Sequence, residues 1–323
     1  MKFKTNHKNR VIAILLTITL AFGVIFCTTG CEKSNKVTDV RTQTLQTVAN
    51  SITEPAFGVD DWSVFALLVA DYDAQNIYDA YYNSLVEGMK AEMTASEKVY
   101  TNFSKAVMLL SAMGKSAEDV GGYDILQELY NVDNVSIQGA SGMSYALIAL
   151  DMYGSQSEVK QEYVQKLLAT QNSDGGFTYA EGAESNADIT AIVLKALAPY
   201  KDNAEVKTAI DNALNALVNI QDENGDFYNV KEGDWSVANS CSTSEVIIAL
   251  CTLGIDPDTD KRFVAENGSA IDALLRYYNA DSHTFNYMVG DAEPSAYALV
   301  SAVQAIEAYN RLCNNQPSIY TVK

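Results

Sequence analysis

The chain has 323 residues, 48% of them hydrophobic, enough for one large domain with a sizeable core or two ordinary ones. Its 41 Asp and Glu outnumber its 22 Lys and Arg, giving a net charge of −19 that excludes nucleic acid as a natural partner and disfavours anionic polysaccharides. Five prolines over this length favour helices.

At the amino end, Lys2, Lys4, Lys8 and Arg10 precede the apolar run Val11 to Phe26, which is too short for a confident spanning helix and ends in "CTTGC". This segment resembles a bacterial lipoprotein signal, with small Gly30 before an acceptor Cys31 and Thr28 where an aliphatic residue is commoner. The resemblance implies a signal peptide over 1–30, lipidation of Cys31, a tether over 31–36 and a location on the extracellular face of the cell membrane. A plain secretory signal or an uncleaved anchor is the alternative. Cleavage before Cys31 leaves 18 basic against 41 acidic residues, a net charge of −23. Cys241, Cys251 and Cys313 then remain, and three cysteines do not make a disulfide framework.

From Val37 to about residue 312 the chain repeats. Six alanine- and leucine-rich segments, "VFALLVADY", "AVMLLSAMG", "SYALIALDMYG", "AIVLKALAPY", "VIIALCTLG" and "AYALVSAVQAI", place Leu67, Val107, Leu147, Leu194, Ile247 and Leu299 in equivalent positions, 40 to 53 residues apart. Two-residue alternation is missing, which excludes propeller blades. Between the segments run more charged amphipathic stretches, such as "SEVKQEYVQKLLATQ", where Val159, Tyr163, Leu167 and Leu168 share one face. Segments apolar nearly all round belong inside, and those with one apolar stripe outside. The expected fold is all-α, an α/α6 toroid of six outer–inner hairpins over 37–312 with a tail over 313–323; an open solenoid is the alternative.

The turn "QNSDGGF" (Gln171 to Phe177) recurs as "QDENGDF" (Gln221 to Phe227) and loosely as "NADSHTF" (Asn279 to Phe285). It reads as a structural corner. Glycine ends an outer helix in a left-handed cap, the phenylalanine packs under the ring, and the glutamine bonds exposed backbone.

These turns resemble the Gln…Gly…aromatic repeat of squalene cyclases and prenyltransferase β subunits, with Phe for Trp. "DVGGYDIL", "QGASGMSYALIALD", "NSCSTSEVIIALCTLGIDP" and "AIDALLRYY" are closer still to secreted bacterial proteins with prenyltransferase/squalene-oxidase-type repeats. The resemblance spans roughly Val37 to Arg311 and is specific for fold, much less so for activity.

The activities that the resemblance implies are incompletely supplied. A class II cyclase protonates an alkene with the central Asp of D-x-D-D, whereas "NADIT" leaves Asp188 between Asn186 and Thr190; Asp188 is the one candidate acid, with a helix-start role as its alternative. In the prenyltransferase zinc set Cys241 matches the cysteine ligand, but Asn239 replaces the aspartate and Pro294 stands near the histidine position. His283 reads as a solvated loop histidine. Asp222, Asn224 and Asp226 have the opening spacing of a calcium loop, but Phe227 takes its glycine position. No metal and no cofactor are expected.

What remains is a ring of polar residues where the inner segments begin: Asp61 and Trp62, Thr101 and Asn102, Gln138 and Ser141, Asp188 and Thr190, Ser242 and Glu245, Glu293. In a toroid these starts converge on one mouth. Thr101, Ser141 and Ser242 read as helix caps. Asp61, Trp62, Asn102, Gln138, Asp188, Thr190, Glu245 and Glu293 are the expected ligand contacts. The expected function is a lipid-anchored binding protein holding a small molecule or peptide, related in fold to the first domain of transcobalamin-type carriers, with other surface proteins as further partners. A terpenoid-cyclase- or prenyltransferase-like enzyme using Asp188 is the alternative.

Overall fold

The computed structural model describes residues 36–180 and 182–321. The apolar segment and Cys31 lie outside the described residues, among which no helix is long and apolar enough to cross a membrane. The chain divides into two compact units, Met1–Thr42 and Gln43–Lys323. In the first, residues 36–42 are helical. The second begins with helix α1 (43–51).

Six long, almost wholly buried helices form an inner ring: α2 (Asp61–Val69), α4 (Tyr100–Ala112), α7 (Gly139–Tyr153), α9 (Ala187–Leu197), α11 (Ser240–Leu253) and α13 (Ala296–Cys313). They carry Leu67, Val107, Leu147, Leu194, Ile247 and Leu299, none more than 7% exposed. Each packs on the next, and α13 packs on α2, so the ring closes. This is an α/α toroid, and closure rules out the open solenoid.

The outer elements are α3 (Gln75–Thr94), the short pair α5 (Leu126–Leu129) and α6 (Val132–Ser136), α8 (Val159–Leu168), α10 (Ala204–Ile220) and α12 (Ala270–Arg276). Their burial follows one stripe, as in α3, where Ile77, Tyr81, Leu85 and Met89 recur every fourth residue and are buried. The pair α5 and α6 stands where the other outer positions have one helix, and Asn131 starts α6 by accepting from Asn134 N–H.

The repeated turns are corners, as their composition suggests, with one difference. Gln171 donates from Nε2 to Gly175 O and to Ala209 O of the next outer helix, both at 2.8 Å. Gln221 repeats the bridge to Gly225 O and Phe263 O. Phe177, Phe227 and Phe285 are fully buried. The glycines, however, are not helix caps. Gly175 and Gly225, at φ +91° and +88°, sit where the next repeat passes, and a Cβ would lie 2.6 Å from Asn212 O and Ser269 O. The third corner is a β-hairpin instead, β1 (Tyr278–Asn279) against β2 (Thr284–Phe285), turned by His283 at φ +54°.

The predicted caps shift as well. Asn186, Asn239 and Ser295 close α9, α11 and α13 by accepting from the N–H three residues on. Thr101, Ser141 and Ser242 do not: α4 and α7 have no capping side chain of their own, and α11 is capped one turn earlier than Ser242.

Beyond α13 the chain folds back across the end of the ring opposite the mouth. Arg311 pairs with Glu307 and donates to Val69 O and Pro317 O, Ser318 meets Thr252, and Ile319 is 2% exposed.

Candidate functional site

Because the inner helices run in one direction, their amino ends share one face of the ring and their inward positions line its axis. On α9, Asp188 and Lys195 lie two turns apart on the same face. On α11, Cys241 and Glu245 are one turn apart. Opposite them, Tyr145 of α7 packs on Trp62 of α2 with centroids 5.5 Å apart, and Trp62 meets Phe65 edge-on at 6.0 Å. Trp62, Tyr145, Asp188, Cys241 and Glu245 are each half-buried, reachable from the mouth.

Asp188 is the unusual group. The side chain of Asn186 accepts from Ile189 N–H at 3.0 Å and does the capping, so the Asp188 carboxyl is free of that task. Its Oδ1 is buried without a hydrogen-bond partner. Burial pushes the carboxyl up to about 6, against a hydrogen bond from Ser242 and with the nearby charges of Glu245, which raises it further, and Lys195, which lowers it.

Deeper in, Lys195 forms an ion pair with Glu245 across α9 and α11. Burial alone would lower the ammonium, but the Glu245 carboxylate beside it outweighs burial and holds it above its ordinary range. The phenols of Tyr145 and Tyr320 adjoin the pair and are raised by burial. Burial likewise pushes the Cys241 thiol up to about 11, which keeps it protonated and a poor nucleophile or metal ligand. Among the described residues no group of three or more His, Cys, Asp or Glu is placed to hold a metal ion.

Of the expected ligand contacts, the axis gathers Trp62, Asp188 and Glu245. Four of the others have structural partners. Thr190 is fully buried and accepts from Phe177 N–H at 2.9 Å, as Thr243 does from Phe227 N–H in the next repeat. Asp61 is 3% exposed and binds Lys105, Tyr81 and Gly58 N–H, each at 2.6 Å. Gln138 accepts from Thr101 N–H at 2.9 Å, and Asn102 donates to Glu92 of the outer helix. Glu293 is exposed in the loop before α13. His283 accepts or donates at Nδ1 to Tyr278 at 2.9 Å, and the calcium-like loop folds on itself, Asp222 accepting from Asn224 and Asp226 N–H.

Sequence reading missed Lys195, Tyr145 and Tyr320. Lys195 had a signal, a lone cation in the apolar stretch "AIVLKALAPY"; Tyr145 had none, since an aromatic residue in a buried helix is ordinary core, and Tyr320 had none in a tail beyond the last repeat.

No protein-family model matches the sequence, and no curated protein matches it. Solved structures do share the fold. The unsaturated glucuronyl hydrolase of Bacillus sp. GL1, described as responsible for glycosaminoglycan degradation, aligns with TM-score 0.60 at 11% identity over 89% of this chain and 99% of that one. The corresponding enzyme of Streptococcus agalactiae aligns with TM-score 0.56 at 12% identity over 85% and 92%. A type II terpene cyclase from Scytonema, in complex with geranylgeranyl dihydroxybenzoate, aligns with TM-score 0.56 at 11% identity over 88% and 99%.

At such identity the likeness is one of fold. It nevertheless corrects the expected function. Solved proteins that share this ring include hydrolases and a cyclase, and four of the eight residues assigned to holding a ligand, Asp61, Asn102, Gln138 and Thr190, are engaged in the scaffold. The binding-protein reading is therefore withdrawn.

Proposed function

We propose that the chain is an enzyme of the terpenoid-cyclase-like group, in which Asp188 is a general acid acting on an electron-rich carbon–carbon double bond of a neutral, largely apolar substrate. The observation that carries this reading is Asp188 itself: sunk beneath the mouth, released from capping by Asn186, with Oδ1 unpartnered and the carboxyl raised to about 6. An acid that keeps its proton in mildly acidic water and faces the axis can hand it to a bound group.

In the step, the π electrons of the double bond take the Asp188 proton onto one carbon, leaving a carboxylate on the enzyme and a cation on the other carbon. Ser242 and the Lys195 charge favour the carboxylate so formed. The faces of Trp62 and Tyr145 favour the cation. A second double bond of the substrate then captures it, and loss of a proton to water at the mouth completes the cyclisation.

The terpene cyclase with bound geranylgeranyl dihydroxybenzoate supports this class over the glucuronyl hydrolases, because a net charge of −19 and an axial cation already paired with Glu245 poorly suit an acidic sugar. The test is incubation of the purified protein with geranylgeranyl-bearing polyenes, with products read by mass spectrometry. Cyclised product is expected from the wild type and none from Asp188→Asn; equal product from both proteins sinks the assignment.

The finer reading, a secreted bacterial lipoprotein with prenyltransferase/squalene-oxidase-type repeats held to the outer face of the membrane, rests on "TTGC" and the quoted repeats. Cys31→Ser should release the protein into the medium or leave an unprocessed precursor. Unchanged processing and membrane retention would reject the anchor.

A further inference from the structure

The connections that lead from each outer helix to the next inner one all lie on the face where the inner helices begin, and each exposes a large apolar side chain. Val59, Val99, Ile137, Tyr179, Trp235 and Val289, one from each connection, are between 42% and 84% exposed. Among the described residues the inner-to-outer connections hold one such side chain, Val264. Single apolar residues scattered over a surface are ordinary; a set gathered on one face marks an interaction surface, and Trp and Tyr are types that interfaces concentrate.

These connections are fastened rather than loose. From the third onward, each is set against the start of the preceding inner helix. Gln138 accepts from Thr101 N–H at 2.9 Å, Asn229 O from Ala187 N–H at 2.8 Å and Tyr287 O from Ser240 N–H at 3.0 Å. The fourth passes Gly139 so closely that a Cβ there would lie 3.2 Å from Tyr179 O. A partner meeting this face therefore has little backbone to order.

The same connections are acidic. Lys98 and Lys231 are their only Lys or Arg, and Lys98 is already paired with Glu128 at 2.6 Å. Glu97, Glu232, Asp234 and Glu293 are exposed within four residues of Val99, Trp235 or Val289. Carboxylates interleaved with apolar side chains repel an anionic bilayer or an acidic protein and attract a partner in which cations flank apolar groups.

We propose that this face docks a basic amphipathic polypeptide segment, whose apolar side chains settle on residues such as Ile137, Trp235 and Val289 while its Lys and Arg meet the surrounding carboxylates. The docking is independent of the cyclase reading and needs no turnover to be measured.

The probe is a synthetic amphipathic helix of leucine and lysine, with a leucine–glutamate helix as its acidic counterpart, titrated calorimetrically into the full chain at about 0.15 M salt. The wild type should bind the basic helix and not the acidic one. The triple variant Ile137→Ser, Trp235→Ser, Val289→Ser should bind it at least about tenfold more weakly, and Val264→Ser should bind as the wild type does. Trp235→Ser alone serves if the triple variant fails to fold. Trp235 emission, taken as the difference between wild type and Trp235→Ser, should also lose its quenching by acrylamide when the helix is bound. Equal affinity in the wild type and a folded variant, no binding of the basic helix, or unchanged quenching overturns the proposal. So does protection of Trp235 by phosphatidylcholine vesicles but not by the basic helix, which would make the face a lipid surface.

Discussion

Lys195 and Glu245, on adjacent inner helices, form an ion pair in which the lysine side chain is 2% exposed and the glutamate 23% exposed. The pair is thus sealed at its positive end and open to the mouth at its negative end. Glu245→Gln should strand a buried ammonium and cost roughly 2–4 kcal/mol, while Lys195→Met combined with Glu245→Gln should recover most of that loss. Chemical denaturation of the two variants measures both. Equal stability of Glu245→Gln and wild type would show the pair to be slack.

Asp188 predicts a pH signature with a definite sign. Its carboxyl is raised from 3.8 to about 6 on folding, so the native state holds the proton more tightly than the unfolded chain, and ionisation costs stability as pH rises from about 4 through about 6. Above that window Asp188→Asn should be more stable than wild type, by about 1–3 kcal/mol, and below pH 4 the difference should vanish. A merely capping aspartate would give the opposite sign. Turnover needs the protonated acid and should therefore fall as pH rises through about 6; thermal melts and initial rates across pH 4–8 read both effects.

The close passages at the corners should discriminate among glycines. Gly225→Ala places a methyl 2.6 Å from Ser269 O at φ +88°, and should cost about 2–3 kcal/mol. Gly254→Ala has a similar φ of +80° but nothing within 4 Å, and should cost about 1 kcal/mol. Equal losses in denaturant titration would mean that backbone strain, rather than contact between repeats, holds these positions.

Leu194, fully buried on α9, offers a direct test of the inner ring. Leu194→Asp should lose at least about 4 kcal/mol or fail to fold, since a carboxylate with no partner would enter the core. Near-wild-type melting would remove α9 from the ring.

The ring was legible because burial leaves a periodic trace: the six segments from Leu67 to Leu299 are apolar all round, and their spacing exposes the repeat. The corners were legible for the same reason, through Gln171 and Gln221. The site was harder, because residues at helix starts look alike in sequence. Asp188 faces the axis, whereas Thr190, two residues on, turns into the repeat and bonds Phe177; their difference is a rotation about the helix that only packing fixes. Gln138 shows another limit, since it caps α4, a helix 37 residues earlier in the chain. Tyr320 lay further out of reach, in a tail whose path depends on Arg311 finding Val69 O from 242 residues away.

The contact of α13 with α2 has a further consequence. A row of stacked hairpins has two end units, which can fray, be lost or be added while the rest holds. A closed circle has none: excising any hairpin bares two apolar flanks at once. Lengthening the loops at the rim, or trading one axial side chain for another, leaves the circle whole, whereas loss of any hairpin opens it, so the molecule should come apart in a single step.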